Sequence, residues 1–518
     1  MNPTTNSVLI IGGGSAGWIT AAVLASQVKQ QFEKPINITL IESPDVATIG
    51  VGEGTWPTMR KTLKSIGISE TEFIKECDVS FKQGAKFAKW HTGEDDDFYF
   101  HPLMLPQGDG DFDLTPFWQV YKNASDCTPS FSNAVCSQEA ICQAGLAPKT
   151  ITTAEYDSIA NYAYHLDAGK FAKLLKKHCI EKLGVVYTQD HITDVNADQE
   201  DFIHSVTTKN LGAIKADFFI DCSGFSSLII DKHYQIPFNN CQHVLFADSA
   251  IATQVPYPDP MSPIASHTIS TAQANGWIWD IGLPTRRGVG YVYSSHYQTD
   301  DQALEVLKSN LTLDETSQLN FKKIKFTPGH REKFWHKNAV AIGMAAGFLE
   351  PLEASALVLI EISAQMIAEQ FPVNRQSMLG LANQYNQTSL YRWQRIIDFL
   401  KLHYVLSNRP EKFWQDNRNP ESIPKSLSAL LDLWQHMPPY DQQFPHAVEV
   451  FPAASYRYVL FGMGFQTRLT DHGLNLTAKT HADEHFQNNQ IATDQLIQSL
   501  PNNRVLLQQI YQYGLQKI

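Results

Sequence analysis

The chain has 518 residues, of which 43% are hydrophobic, 18% charged and 11% aromatic. That length is too great for one simple core, and that composition is too apolar for extensive disorder. A net charge of −12 gives no electrostatic reason to hold nucleic acid or an anionic membrane, and Arg286-Arg287 reads as a solvated pair rather than a basic patch.

Val8 to Ile11 is a continuous apolar run ending in glycines, the pattern of a buried parallel strand. Trp18 to Phe32 has helical character, and Ile36 to Glu42 is a second strand with β-branched residues. Together they form a βαβ unit with its glycine turn at the strand-to-helix junction. Lys82 lies in Phe81-Lys82-Gln83-Gly84-Ala85-Lys86-Phe87, with Lys86 expected one helical turn away. Residues 91 to 150 are rich in Asp, Gly, Pro and aromatics and read as irregular chain folding over a site.

Ala216 to Cys222 and Ala339 to Ile342 are later strands, each running into a glycine turn. Strands returning so far downstream fit a nucleotide-binding domain interrupted by insertions. Ser377 to Tyr404 carries apolar residues at helical spacing, and Trp434 to Phe465 is read as an aromatic-rich irregular tail. The expected division is residues 1–375 and a mainly helical region at 376–518.

The seven cysteines are scattered without a CxxC spacing, which suggests reduced thiols and a cytoplasmic protein. Val8 to Ile11 is too short for a signal peptide or a bilayer span, and Glu361 stops the run from Ala356 to Ile360. No metal, membrane or nucleic-acid partner is expected.

Gly12, Gly14 and Gly17 form GxGxxG. Such glycines allow a tight turn and close approach to a pyrophosphate, and the helix N-terminus offers free N–H groups to it. Ser15 and Ala16 complete the turn, and Glu42 at the next strand end can hydrogen-bond ribose hydroxyls. This motif does not separate FAD from NAD. The segment Ile49-Gly50-Val51-Gly52-Glu53-Gly54-Thr55-Trp56-Pro57 adds three glycines in five positions, which let backbone lie against a flat ligand.

Two motifs point elsewhere. His481-Ala482-Asp483-Glu484-His485 has the HxxEH form of a zinc peptidase, but its polar surroundings favour a solvated segment. Gly13-Gly14-Ser15-Ala16-Gly17 fits the hydrolase GxSxG, yet it follows the first strand, so no earlier strand supplies a second oxyanion donor.

The densest signal is Gly347-Phe348-Leu349-Glu350-Pro351-Leu352-Glu353-Ala354-Ser355-Ala356-Leu357: two carboxylates in an apolar run, costly to bury unless paired or working. Trp277 and Trp279 alternate and so share one face of a strand.

These segments, with Gly12 to Trp18, Val51 to Thr55 and Phe81-Lys82, resemble the flavin-dependent tryptophan halogenases over nearly the whole chain. The resemblance implies an α/β (α+β) fold: an FAD-binding, Rossmann-like domain of the flavin monooxygenase type with an inserted sheet, and a C-terminal helical region covering the substrate. It implies reduced FAD (FADH2) from a separate flavin reductase, O2, and chloride or bromide. Hypohalous acid then travels through a tunnel to Lys82, beside an aromatic substrate such as indole. Glu353 matches the catalytic glutamate, with Glu350 as the alternative acid. Gly54, Ile192, Met344 and Leu357 join the cofactor set by the same resemblance. Ser355 and Ala356 match the halide-binding positions, His101, Leu103 and Phe451 the substrate-binding ones, and Trp277 and Trp279 the residues that keep substrate from the flavin.

The chain departs from the family where Ala354-Ser355-Ala356 replaces Ser-Thr-Gly, and where Gly282, Leu103 and Phe451 replace proline, phenylalanine and tryptophan. The groups that hold tryptophan's amino and carboxylate ends have only Tyr440 and Tyr456 as substitutes, so a simpler indole or another electron-rich arene is expected as substrate. The alternatives are a flavin-dependent aromatic hydroxylase and a non-catalytic carrier of reduced FAD. A monomer or homodimer is expected.

Overall fold

The computed structural model describes residues 4–31, 36–45, 52–125, 127–311, 319–444, 449–468 and 475–517. Ile49, Gly50, Val51 and Phe32 lie outside the described residues. Val8, Leu9, Ile10 and Ile11 are at most 3% exposed, so Ser7–Ile11 is covered on both faces, as a central parallel strand requires. It pairs in parallel with Asn37–Glu42 on one side and Phe218–Asp221 on the other. Ala339–Ala341 extends this sheet beyond Phe218–Asp221, and Val186–Gln189 extends it beyond Asn37–Glu42. The helix Ser15–Gln31 returns the chain along it.

Gly12 takes φ +113°, and a Cβ there would stand 2.2 Å from the Cys222 carbonyl oxygen. The turn therefore needs glycine, both for its backbone angle and for contact with the neighbouring strand end.

The inserted sheet has seven strands, with Gly276–Gly282 at its centre between Thr268–Gln273 and Arg286–Tyr293. Trp279 faces Gly290 across the ladder, and a Cβ on Gly290 would meet the indole at 2.2 Å. At its other end the sheet adds Gly84–Ala88 and Phe98–Pro102. A small antiparallel sheet pairs Ala163–Asp167 with both Gly52–Gly54 and Ser80–Lys82. The buried carboxylate of Glu70 anchors that central strand, accepting from the hydroxyls of Tyr162 (2.6 Å) and Tyr164 (2.7 Å) and from Lys149 Nζ at 2.9 Å.

Lys82 and Lys86 are not one helical turn apart. They lie on separate strands, Ser80–Lys82 and Gly84–Ala88, joined at Gln83. The glycine that follows, Gly84, has φ +158° and no room for a Cβ beneath His101 O. Residues 91–150 hold a strand and the short helices Thr115–Ala124, Phe131–Val135 and Gln138–Gln143. Within the supposedly irregular tail, Ala453–Gly462 is a helix. Periodicity hides it because it is buried almost all round, which erases the polar face that a pattern search needs.

The Ser355–Glu369 helix packs along Ser15–Gln31. The 31-residue helix Arg375–Val405 then delivers a wholly buried segment, Ile396 to Tyr404, into the interior. Among the described residues no helix is long and apolar enough to cross a membrane.

Candidate active site

The cofactor side is built at the first strand's end. A Cβ on Gly17 would stand 1.9 Å from the Gly12 carbonyl oxygen, whereas nothing lies within 4 Å of one on Gly14. The turn is thus closed on its inner side and open outward, where Ser15 and Ala16 begin the helix and its free N–H groups. Glu42 accepts from Lys176 Nζ (3.0 Å) and the Tyr187 hydroxyl (2.9 Å), both on Oε2, and its side chain fills the space a Cβ on Gly13 would need. These residues fit a dinucleotide, with a pyrophosphate at the open turn and a ribose at Glu42.

Met344 sits in the Gly343–Ala345 turn beside Ala16, and it lines one cavity with Ser355, Ala356 and Leu359. Gly54 brings its backbone close to Ala354 and to Lys82 Nζ. Leu357 is buried in the first turn of the Ser355–Glu369 helix, so that turn's N–H groups, rather than its side chain, are what it can offer. Ile192 opens the strand Ile192–Ala197 and packs into a cluster with Leu9, Ile11 and Ile41.

Ala354, just ahead of Ser355, has φ 52° and ψ 40°. This left-handed conformation costs an alanine about 1–2 kcal/mol. Ala354→Gly is therefore expected to stabilise the fold by about 1 kcal/mol, read as a higher urea midpoint with an unchanged slope.

Lys82 is 3% exposed, and its Nζ donates to the Thr55 carbonyl oxygen at 3.3 Å. Burial lowers its proton affinity, partly offset by Glu353, leaving a pKa of about 8. Glu353 is also 3% exposed. Burial pushes its carboxyl up, but His101 and His403 outweigh that and hold it at about 2. Its Oε1 lies 2.8 Å from His101 Nδ1 and 3.3 Å from His403 Nε2. His403 Nδ1 is in turn 2.5 Å from the Tyr99 hydroxyl. Burial keeps Tyr99 protonated and His403 neutral, so Tyr99 donates to Nδ1 and the N–H at Nε2 faces the carboxylate.

The slot beside these groups is aromatic. Phe451 stacks on Phe399 at 4.0 Å and meets Trp56 edge-on at 5.1 Å. His101 lies 6.4 Å from Phe451, with its Nε2 buried and without a hydrogen-bond partner. Leu103 packs at the margin, its N–H bonded to Gln138. Tyr440 donates to Asp113 at 3.0 Å, so its hydroxyl is already engaged, whereas the Tyr456 hydroxyl is buried beside Phe399 and Phe444 without a hydrogen-bond partner among the described residues.

Trp277 and Trp279 do share a face, their rings 6.3 Å apart. Trp277 Nε1 donates to Glu350 Oε2 at 2.9 Å, and Tyr404 donates to the same oxygen at 2.7 Å. Glu350 thereby fixes Trp277, while Glu353 faces the aromatic slot. The sequence reading missed Trp56, Tyr99 and His403. Trp56 lay inside a segment read only for its glycines. Tyr99 and His403 carry no local pattern, being brought to Glu353 by a strand and a distant helix.

Two expectations concern other surfaces. Arg286 pairs with Asp167 and Arg287 with Asp280, each at 2.7 Å, so neither is simply solvated. His481 and His485 lie on the helix Leu476–Ser499 and pack on Phe112, and among the described residues no cluster of metal ligands forms.

A family model described as tryptophan halogenase matches residues 7–479. Tryptophan 6-halogenase ThaL of Streptomyces albogriseolus is 30% identical, over 99% of each chain. Tryptophan 7-halogenase RebH of Lentzea aerocolonigenes is 32% identical over 81% of this chain and 80% of its own. The crystal structure of a tryptophan halogenase from Shewanella frigidimarina NCIMB 400 superposes with a TM-score of 0.95 at 48% identity, covering 99% of both chains. The solved structure of BrvH, a flavin-dependent halogenase from Brevundimonas sp. BAL3, does so at 0.86 and 30% identity, over 98% of this chain and 100% of its own. A likeness that runs through every strand and helix carrying the site leaves one conclusion: the chain belongs to the tryptophan halogenase family and is a flavin-dependent enzyme of the oxidoreductase type.

Proposed function

We propose that this enzyme halogenates an indole ring held between Lys82 and Glu353. The observation that carries the reading is a buried amine with a pKa of about 8 and a buried carboxylate held at about 2 beside one aromatic-lined slot. Bound reduced FAD, supplied by a separate reductase, provides with O2 and halide the hypohalous acid that the residues then handle. Ser355 and Ala356 offer N–H groups at a helix start to the halide. Lys82, next to Gly54 and Ala354, receives the hypohalous acid from that side and presents its halogen to the ring. Glu353 stabilises the positive charge that develops on the ring and accepts the departing proton. Trp277, locked through Glu350, and its neighbour Trp279 separate the ring from the flavin and so disfavour direct hydroxylation.

Tryptophan is the arene in the relatives' names. The engagement of Tyr440 with Asp113 supports a bare indole as the better substrate here. Purified protein with FAD, a flavin reductase, NADH and bromide is expected to convert indole to bromoindole, with a higher kcat/KM than for tryptophan. Hydroxylated product formed without halide would overturn the reading.

A further inference from the structure

The geometry points to Trp56 as an internal halogen acceptor: with no arene bound, the enzyme halogenates its own Trp56 ring. This rests on the halogenation chemistry proposed above and adds a covalent modification site to it.

The indole of Trp56 lines the slot in which the substrate ring is proposed to bind. Its centroid is 5.9 Å from Lys82 Nζ, 6.0 Å from the His101 ring and 5.1 Å from Phe451. Its Nε1 donates to the main-chain carbonyl of Glu353 at 2.9 Å. The electrophile's carrier and the aromatic wall thus both address this one side chain, and the Glu353 backbone anchors its indole N–H. The backbone holds it there, because Thr55 donates its N–H to Tyr164 O at 2.8 Å and accepts from Lys82 on its own carbonyl. A halogen presented by Lys82 spans part of the 5.9 Å and comes near the reacting separation of about 3–3.5 Å. Indole carbons are nucleophilic, so nothing in the chemistry distinguishes this ring from a bound one.

The step balances with hypohalous acid as oxidant. The ring's π electrons form the carbon–halogen bond as the halogen–oxygen bond breaks. The oxygen takes a proton from the Lys82 ammonium and leaves as water. The ring carbon then loses its proton to the now neutral Lys82 amine, which restores both aromaticity and the ammonium. A bound arene prevents the reaction by taking the electrophile first.

The test is peptide mapping by mass spectrometry after turnover with FAD, reductase, NADH and bromide, without arene, in the presence of methionine to consume free hypobromous acid. Bromine is expected on the Trp56 peptide, suppressed when indole is added, and at least about 100-fold lower in Lys82→Ala. In parallel, flavin-free protein is given an equimolar dose of hypobromite and mapped in the same way. All ten tryptophans are buried, but Trp56, at 9%, is the most exposed of them, so the loss of label in Lys82→Ala, rather than selectivity alone, separates delivery by the amine from simple accessibility. Trp56 unlabelled while indole is brominated, label persisting in Lys82→Ala, or label spread evenly over the tryptophans would each overturn the inference. A protein that brominates neither indole nor itself with flavin would overturn the proposed function and this inference with it, whereas indole bromination with Trp56 unlabelled overturns the inference alone.

Discussion

Lys82→Ala is expected to lower single-turnover halogenation of indole by about 10³-fold, with FAD affinity unchanged. The amine stands between Gly54, which adjoins Ala354, and the aromatic slot, where it can hold an electrophilic halogen. It touches no residue of the phosphate turn. Lys82→Met, which keeps bulk and removes charge, is expected to lose activity equally but to gain stability. The sign follows from protonation. Lys82 has a pKa of about 8 in the fold against an ordinary 10.5, so the unfolded chain binds the proton more tightly. Below pH 8 the buried ammonium costs about 3 kcal/mol. That cost fades as pH rises from about 8 through 10.5. The stability advantage of Lys82→Met in urea unfolding should therefore be present at pH 7 and shrink by pH 10. Unaltered turnover in either variant would remove the amine from the mechanism.

Glu353→Gln is expected to reduce halogenation by about 10²-fold, since the amide neither balances the ring's positive charge nor takes its proton. Here the protonation argument has the opposite sign. The carboxyl sits at about 2 against an ordinary 4.5, so the folded state favours the ionised form. This contributes about 3 kcal/mol that is fully present above pH 4.5 and is lost as pH falls towards 2. Wild type should exceed Glu353→Gln in stability at pH 7, and the gap should close in acid. Both imidazoles engage Oε1, so rotation of the variant's amide could retain one contact. The activity loss and the vanishing pH dependence together separate a chemical role from a merely structural one.

Local patterns made much of this legible. The apolar strand, the glycine turn and the helix that follows are contiguous, so their chemistry lies within a short stretch of sequence. Trp277 and Trp279 were readable as one face because strand geometry leaves no other choice. The helix at Ala453–Gly462 escaped because burial on all sides removes amphipathic contrast. The placement of Lys86 on a helix failed because Gly84, with its left-handed φ, breaks the segment into two strands that enter different sheets.

From sequence by itself came the dinucleotide turn, the two carboxylates in an apolar run, and a lysine and a tryptophan pair whose company resembles one family. Those signals survive because each is a matter of a few neighbouring residues. Only the folded chain showed what each carboxylate meets. Glu350 is captured by Trp277 and Tyr404, whereas Glu353 meets His101 and His403, partners 252 and 50 residues away. The reason is physical. Proton affinity in a buried site is set by whatever charge and hydrogen bonds the packing brings within a few ångströms, and that packing is not written in the order of the chain.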